Sequence, residues 1–477
     1  MIFHSLDFAA FFLAACGIYW MLPHRWQNVF LIGAGCFFYG YIHPWFLLPL
    51  VFSATIDYIS AIQMERRPAQ KRTFLLLSLI SNLGLLGFFK YFNFFVDNAG
   101  AAASALGLDF SRPALQIILP VGISFYTFQA LSYTIDVYRG RIPARRSYLT
   151  LATFVTFFPP LVAGPIERAS HLMPQIEQRR RFDAVMARDA IFLILWGYFK
   201  KLVIADNVGV IVNKVFAIRE PGFEMLWAGV FAFAIQIYAD FSAYSDIARG
   251  VARWFGFELI RNFDHPYLAR GPADFWRRWH ISLSSWFRDY VYIPLGGSRT
   301  GPARRAMNLI LTFLLSGLWH GASWNYVLWG LYHGLLVAAS RAIDPMTPKT
   351  PARFHVAIAP LQVVGTFALV TFGWLLFRET DSAYLWQHLT LSPLDSTPVE
   401  RRMGAYLFVL SALYAVPLVI HMWWDAWFLP RWEAGRDALR PKSARRLAFE
   451  TLTAGALFAL MLVFRSRTSM DFIYFQF

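Results

Sequence analysis

The chain has few charged residues and only two cysteines. Charged residues make up 15% of its 477 residues and hydrophobic residues 57%, whereas soluble domains carry about 25% and about 45–50%. This composition excludes an ordinary soluble fold and predicts an integral membrane protein. Cys16 and Cys36 both lie in apolar runs, which argues against a disulfide framework and a zinc site. We therefore expect no bound metal.

Several familiar motifs are also missing. The chain has no phosphate-binding P-loop, no dinucleotide fingerprint, no zinc-protease motif and no serine nucleophile elbow. Its net charge of +15 would suggest nucleic-acid binding in a soluble protein. Here most of the 44 lysines and arginines lie in loops between apolar runs, as the positive-inside rule requires. We therefore expect membrane lipid, and no nucleic acid, as a partner.

Apolar runs of membrane-spanning length recur along the whole chain. They predict one polytopic, all-α membrane domain over residues 1–477, with about 11–12 transmembrane helices. The basic loops belong on the cytosolic side, which places both termini outside. The candidate spans are 7–22, 28–42, 44–63, 73–95, 114–137, 186–216, 224–252, 306–321, 323–341, 356–377, 404–424 and 446–464.

Two further stretches depart from simple spans. Residues 149–166 are apolar but are broken by Pro159, Pro160 and Pro165. This pattern predicts a segment that enters the membrane and leaves by the same face. Residues 271–298 mix Trp and Tyr with Arg, a composition typical of the cytosolic membrane interface.

The most informative stretch is 306–340, which carries no Asp, Glu, Lys or Arg. As one helix it would be about 50 Å long, too long for a hydrocarbon core of about 30 Å. Arg305 and Arg341 flank it on the same predicted side, so the stretch must cross an even number of times. We predict a helical hairpin with its vertex near 321–325, which places His320 deep in the membrane.

A histidine at that depth is costly and therefore indicates a function. Burial disfavours the imidazolium ion and leaves a neutral imidazole, as a general base requires. We interpret His320 as a catalytic base, with Ser316, Trp319 and Asn325 lining its pocket. The alternative is a structural histidine that bonds a backbone carbonyl across helices.

A second polar cluster lies in the interfacial segment and contains His280. We interpret His280 as a second catalytic residue, because it lies on the cytosolic side of the deeper His320. Guanidinium groups nearby can pair with the phosphate oxygens of a cytosolic donor. The alternative for each arginine is a snorkelling side chain that meets anionic lipid headgroups. The candidate donor-binding residues are Arg277, Arg278, Arg288 and Trp279.

Two carboxylates, Asp240 and Asp246, lie in the candidate span 224–252 and are further candidates for the pocket. Buried carboxylates need partners, so a salt bridge to a cytosolic-side arginine is the leading interpretation. The alternative is a proton path, which together with His320 would suit a proton-coupled transporter. Transporters of that kind are typically built from inverted repeats with broken helices, and no such repeat is visible in the sequence.

Four motifs carry a resemblance to a known family: DFSAYSDIARG, WRRWHISLSSWFRDYVYIPLGGSR, SGLWHGASWNYVLWG and DFIYFQF. They resemble the membrane-bound O-acyltransferase (MBOAT) family, and within it the bacterial branch of polysaccharide O-acetylation of the alginate type. The resemblance covers nearly the whole chain, with core motifs in 238–340 and C-terminal spans in 356–464. It implies a ring of tilted transmembrane helices, with re-entrant and interfacial helices, around a central reaction chamber.

The resemblance also implies roles for the two histidines. His320 matches the central catalytic histidine of the family, and His280 matches a second polar position that is asparagine or aspartate in several eukaryotic members. The implied reaction takes acetyl from cytosolic acetyl-CoA, with no permanently bound cofactor, towards an exopolysaccharide hydroxyl outside the bacterial inner membrane. A periplasmic acetyltransferase of the SGNH type is the implied partner. A related branch, which transfers D-alanine from a carrier protein, leaves a second donor open.

Overall fold

The computed structural model describes residues 1–110, 117–343, 355–428, 444–468 and 470–473. Within these ranges the chain forms helices and loops without a β-strand, which confirms the predicted all-α membrane protein. Helices suit lipid because each satisfies its backbone hydrogen bonds internally. The helices that are long and apolar enough to cross a membrane are Pro44–Arg66, Pro68–Ala105, Phe223–Trp254, Ile358–Arg378 and Pro398–Ala426, and shorter apolar helices are Leu6–Met21 and Thr451–Phe464.

The α-helices are numbered here in chain order. Their bounds are α1 Leu6–Met21, α2 His24–Gly40, α3 Leu47–Arg66, α4 Lys71–Leu86, α5 Phe92–Ala105, α6 Ile123–Tyr138, α7 Tyr148–Thr156, α8 Phe158–Leu161, α9 Ala169–Glu177, α10 Ala184–Phe199, α11 Asp206–Phe216, α12 Phe223–Trp254, α13 Pro272–Arg278, α14 Ile281–Phe287, α15 Pro302–His320, α16 Trp324–Ile343, α17 His355–Arg378, α18 Ser382–Thr390, α19 Pro398–Trp423 and α20 Ala444–Phe464. Single π-helical stretches, Gly87–Tyr91 and Lys200–Ala205, join α4 to α5 and α10 to α11.

The predicted spans and the observed helices coincide over most of the chain. One difference is at the candidate span 114–137, where α6 begins only at Ile123. Gly122 precedes it with a left-handed φ of 81°, a conformation that glycine adopts without steric cost. Part of the predicted span, 114–116, lies outside the described residues.

The proline-containing stretch 149–166 forms the two short helices α7 and α8 instead of one span. The nine residues of α7 rise only about 13 Å, too short to cross a membrane. The break falls at Phe157, and the side chains from 150 to 166 are buried within the protein. The structure therefore agrees with a segment that does not cross, and its entry into the membrane stays a prediction.

The described residues group into two compact units. In the first unit, α3 and α4 share a buried polar network in which Asp57 accepts hydrogen bonds from Ser78, at 2.6 Å, and from Asn82, at 2.9 Å. The second unit contains both predicted catalytic histidines. The single domain predicted over 1–477 stays a prediction. The first unit comprises Met1–Ile191 and Ala248–Arg261, and the second the described residues of Phe192–Ile247 and Asn262–Phe477.

Helices α15 and α16 form the predicted hairpin, with residues 321–323 as its vertex. Small residues let the two helices approach closely. A Cβ atom on Gly330 would lie 3.0 Å from the carbonyl carbon of Phe313 and 3.1 Å from Cα of Leu314. A Cβ on Gly334 would lie 3.0 Å from Cα of Ile310. This close packing fixes where α15 ends, and α15 ends at His320.

The substitution Gly330→Ala should destabilise the hairpin by about 1–3 kcal/mol, the usual cost of overpacking. Alanine has the higher helix propensity, so any loss must come from the contact with α15. Thermal unfolding of the detergent-solubilised protein measures the effect as a lowered Tm.

Gly365→Ala in α17 is the matched control. A Cβ there would meet no atom of the described residues within 4 Å, so its Tm should not fall. Equal Tm values for the two variants would contradict close packing at Gly330.

Candidate active site

The structure brings the two predicted histidines together in the second unit. The imidazole centroids of His280 and His320 are 6.4 Å apart, with the ring planes at 52°. The exposed fraction is 0% for His280 and 5% for His320. At this distance both imidazoles can contact the same small group, away from bulk water.

Aromatic side chains enclose His320. The rings of Trp319 and Trp329 both have centroids 5.0 Å from the imidazole centroid, and that of Phe377 lies at 5.3 Å. All three rings meet the imidazole edge-on. The predicted pocket residue Ser316 lies one turn earlier on α15 and is also buried. His320 therefore lies in a pocket from which water is largely excluded, the environment that a desolvated catalytic group needs.

The hairpin vertex also holds the end of α17 against His320. The side-chain amide of Asn325 donates hydrogen bonds to the carbonyl oxygens of Leu376, at 3.2 Å, and Phe377, at 3.3 Å. Sequence analysis placed Asn325 among the residues lining the pocket. The structure shows how it acts there, because its two hydrogen bonds place the Phe377 ring beside the imidazole.

His280 has a strained backbone and is held by a buried asparagine. Its φ of 43° and ψ of 55° are left-handed, which costs a non-glycine residue about 1–3 kcal/mol. The carbonyl oxygen of Asn262 accepts the N–H of Ile281 at 2.9 Å. The side chain of Asn262 accepts the hydroxyl of Ser282 at 2.6 Å and donates to the hydroxyl of Ser245 at 3.1 Å. Asn262 thus fixes the residues that follow His280.

Sequence analysis missed Asn262 and Ser282. Asn262 lies in a loop between α12 and α13, with no motif or periodicity that separates it from other loop asparagines. The backbone strain at His280 is likewise invisible in the sequence, apart from the bias of asparagine, aspartate and histidine towards left-handed conformations.

The imidazole of His280 packs against an aromatic ring of α12. The centroid of Phe241 lies 4.6 Å from it, with the planes at 87°. Burial lowers the pKa of His280 to about 3. The imidazole lies between Phe241 of α12 and His320 at the end of α15, and burial there favours its neutral form.

The three predicted donor-binding arginines each face a carboxylate. Arg277 and Arg278 lie 3.5 Å and 3.1 Å from Asp274, and Arg288 lies 2.8 Å from Asp289. The side chains of Arg277 and Arg288 are 74% and 62% exposed. These two arginines can exchange their carboxylate for another anion at little cost, whereas Arg278 is more buried.

Trp279 faces the interior of the protein. It is buried, and its ring centroid is 4.9 Å from that of Trp374 on α17. Phe275, Trp276 and Trp286 of the same segment are buried too. These rings therefore face the protein and not the lipid headgroups, which composition alone does not reveal, and the depth of the segment in the membrane stays a prediction.

The prediction that Asp240 forms a salt bridge with an arginine is wrong. Asp240 pairs with Lys201 at 2.9 Å, and Asp246 pairs with Lys200 at 2.7 Å. Both lysines belong to the π-helical stretch between α10 and α11. The stretch lies inside the candidate span 186–216, where sequence analysis had not considered cations as partners.

Comparison with known proteins identifies the family. Residues 141–385 match MBOAT, the membrane-bound O-acyltransferase family. The probable alginate O-acetylase AlgI of Azotobacter vinelandii is 39% identical over 435 residues, which is 87% of this chain and 85% of that protein. This chain belongs to the membrane-bound O-acyltransferase family. Similar relatives are the probable alginate O-acetylase AlgI of Pseudomonas putida, 40% identical over 393 residues (80% of this chain, 78% of that protein), and the peptidoglycan O-acetyltransferase of Helicobacter pylori, 35% identical over 391 residues (76% and 72%).

Membership of the MBOAT family confirms the resemblance carried by the four motifs. It makes the chain an O-acyltransferase and decides against the proton-coupled transporter. His280 and His320 both lie in the matched region 141–385, and their catalytic roles are taken up below as proposals.

The substitution His280→Asn should retain much more acyl transfer than His280→Val. Asparagine tolerates the left-handed backbone and keeps a polar group, whereas valine strains the turn and removes the polar group. We expect the transfer rate to fall about 10-fold in His280→Asn and about 100-fold or more in His280→Val. A loss of about 100-fold is the lower end of the range for removal of a catalytic side chain. Acyl transfer from a radiolabelled thioester in isolated membranes measures both.

His265→Asn is the control, since His265 is the other non-glycine residue with a positive φ, 47°, among the described residues. It should leave transfer unchanged. Equal losses in the two His280 variants would show that the imidazole itself is required, and that neither backbone tolerance nor a polar group suffices.

Proposed function

We propose that this O-acyltransferase transfers an acetyl group from cytosolic acetyl-CoA for the O-acetylation of a polysaccharide outside a bacterial inner membrane. The relatives named for alginate and for peptidoglycan have the acetyl group in common, which supports acetyl as the group transferred. The observation that carries the proposal is the pair of buried imidazoles, 6.4 Å apart, at the end of the hairpin. No cofactor needs to remain bound, because acetyl-CoA is a substrate.

His320 acts as the general base in this proposal. Its imidazole removes the proton of the acceptor hydroxyl while the hydroxyl oxygen attacks the thioester carbonyl carbon. The new C–O bond forms and the C–S bond breaks. The proton passes from the imidazolium to the departing sulfur, so that coenzyme A leaves as the thiol and His320 returns to its neutral form.

His280 and the exposed arginines position the donor. The low pKa of His280 keeps its imidazole neutral, so one ring nitrogen can donate a hydrogen bond to the thioester oxygen as negative charge develops there. Arg277 and Arg288 exchange Asp274 and Asp289 for the phosphates of the donor. In this proposal Trp279 is buried against Trp374, next to His280 in the chain, and does not contact the phosphates.

The direction of α15 supports transfer towards the outer side. The helix has 19 residues and is about 28 Å long, with Arg304 and Arg305 in its first turn and His320 at its last residue. If the basic end is cytosolic, with both termini of the chain outside, His320 lies deep in the membrane, towards its outer half. The acceptor is then a polysaccharide hydroxyl, or a serine of an SGNH-type periplasmic acetyltransferase that passes the acetyl group on.

The substitution His320→Ala should lower acetyl transfer by about 10²- to 10⁴-fold, the usual contribution of a general base. The KM for acetyl-CoA should change little, because the donor-binding residues are intact. The transfer rate and the KM are measured with membrane vesicles that are supplied with radiolabelled acetyl-CoA and with the partner protein or polymer.

His43→Ala in the first unit is the control, since the His43 ring packs beside Phe46 in the loop before α3, and this variant should transfer acetyl at the normal rate. Full transfer by His320→Ala would overturn the assignment of the base.

Mass spectrometry of cell-surface glycans, with and without the protein, tests the acyl group. Loss of O-acetyl esters supports the proposal. Loss of D-alanyl esters would replace acetyl-CoA by an aminoacyl carrier protein as the donor, as in the related D-alanylation branch.

A further inference from the structure

The C-terminal segment, defined here as residues 466–468 and 470–473, belongs to the second unit and lies against α12. The N–H of Ser466 donates to the carbonyl oxygen of Leu202 at 3.0 Å, in the π-helical stretch that precedes α11. Phe472 and Ile473 are buried. Two independent sets of contacts, one ionic and one aromatic, hold the segment next to the active site.

The ionic contacts centre on Lys201. Its ammonium group lies 2.9 Å from a carboxylate oxygen of Asp206, 2.9 Å from one of Asp240 and 2.9 Å from the carbonyl oxygen of Met470. All three charged side chains are buried. An ammonium group has three hydrogens, so it has its full set of acceptors only when the segment is in place.

Asp240 links the lysine to the segment a second time. Its other carboxylate oxygen accepts the backbone N–H of Ile473 at 2.6 Å. The cluster has two carboxylates and one ammonium, so this N–H stabilises the excess negative charge, which would otherwise be costly in a buried site. The ions and the segment therefore stabilise each other.

The aromatic contacts lead from the segment to His280. The ring of Phe472 lies 4.6 Å from that of Tyr244 and 6.1 Å from that of Phe241, between centroids. Phe241 follows Asp240 on α12, and its ring meets the imidazole of His280 edge-on at 4.6 Å. Phe472 thus packs behind the ring that contacts His280.

We propose that the C-terminal segment, residues 466–468 and 470–473, positions His280 through Phe472 and Phe241, and that Lys201 and Asp240 are positioning residues that hold the segment in place. This inference rests on the proposed function only in that His280 takes part in acetyl transfer. The donor arginines Arg277 and Arg288 have carboxylate partners of their own, Asp274 and Asp289. The segment therefore acts on the rate of transfer and not on the binding of the donor.

The first test uses the aromatic contacts. Phe472→Ala should lower kcat for acetyl transfer by about 10-fold or more, in the range of a misplaced catalytic group, while the KM for acetyl-CoA stays within about twofold. Phe472→Leu, which keeps most of the packing volume, should recover most of the rate. Phe464→Ala is the control, because that side chain is exposed on α20, and its kcat should be unchanged. A normal kcat in Phe472→Ala would overturn the proposal.

The second test uses the ionic contacts and does not need activity. In a full-length chain with Cys16→Ser and Cys36→Ser, the thiol introduced by Ile473→Cys should react slowly with a maleimide. Asp240→Ala should speed that reaction by about 10-fold or more, the effect of about 1.4 kcal/mol on local opening. Asp240→Asn keeps an acceptor for the N–H of residue 473 and should give a smaller increase.

Asp57→Asn is the matched control, a buried carboxylate in the first unit that bonds Ser78 and Asn82. It should leave the labelling rate unchanged, and so should His320→Ala. A thiol that stays protected in Asp240→Ala would overturn the ionic part of the proposal. A fully active His320→Ala enzyme would overturn the assigned base and leave the labelling result intact, so the two failures are distinguishable.

Discussion

Buried polar groups in a membrane protein must find their partners within the protein, and the arrangement of the second unit follows from this constraint. Lys201 has two carboxylates and a carbonyl oxygen, and Asn325 donates to two carbonyls at the end of α17. Asn262 bonds two hydroxyl groups and a backbone N–H. Apart from the Lys201–Asp206 pair, these interactions join residues that are well separated in sequence, so a polar group that finds its partner also positions part of the candidate active site.

The two histidines are positioned by different means. His320 is the last residue of a regular helix, and its place depends on how closely α15 approaches α16 at Gly330 and Gly334. His280 lies in a strained turn between two short helices, and hydrogen bonds to Asn262 hold that turn. Helix packing therefore positions His320, and hydrogen bonds to the turn position His280.

Much of this arrangement could be predicted from the sequence. The hairpin followed from the absence of charge in 306–340 together with Arg305 and Arg341 at its ends, because membrane crossing depends on charge and length, which are visible in one dimension. The pairing of His280 with His320 followed from the motifs.

Other features depend on three-dimensional packing and were missed or misjudged. Lys201 lies within an apolar run, so its pairing with Asp240 was not predicted. Asn262 looks like any loop residue. Trp276 and Trp279 lie in a segment whose composition is typical of a membrane interface, yet their rings face the protein. In each case the deciding fact is which neighbour a side chain contacts, and a single sequence does not show it.

The left-handed backbone at residue 280 also limits which amino acids can occupy that position. The conformation favours asparagine, aspartate and histidine among residues with side chains, and these are also polar residues that can contact an acyl group. The codons for histidine differ from those for asparagine and aspartate by a single base. Point mutation can therefore move between all three without breaking the turn, so the shape of the backbone leaves the chemistry of this position open to evolutionary change while His320 stays in place.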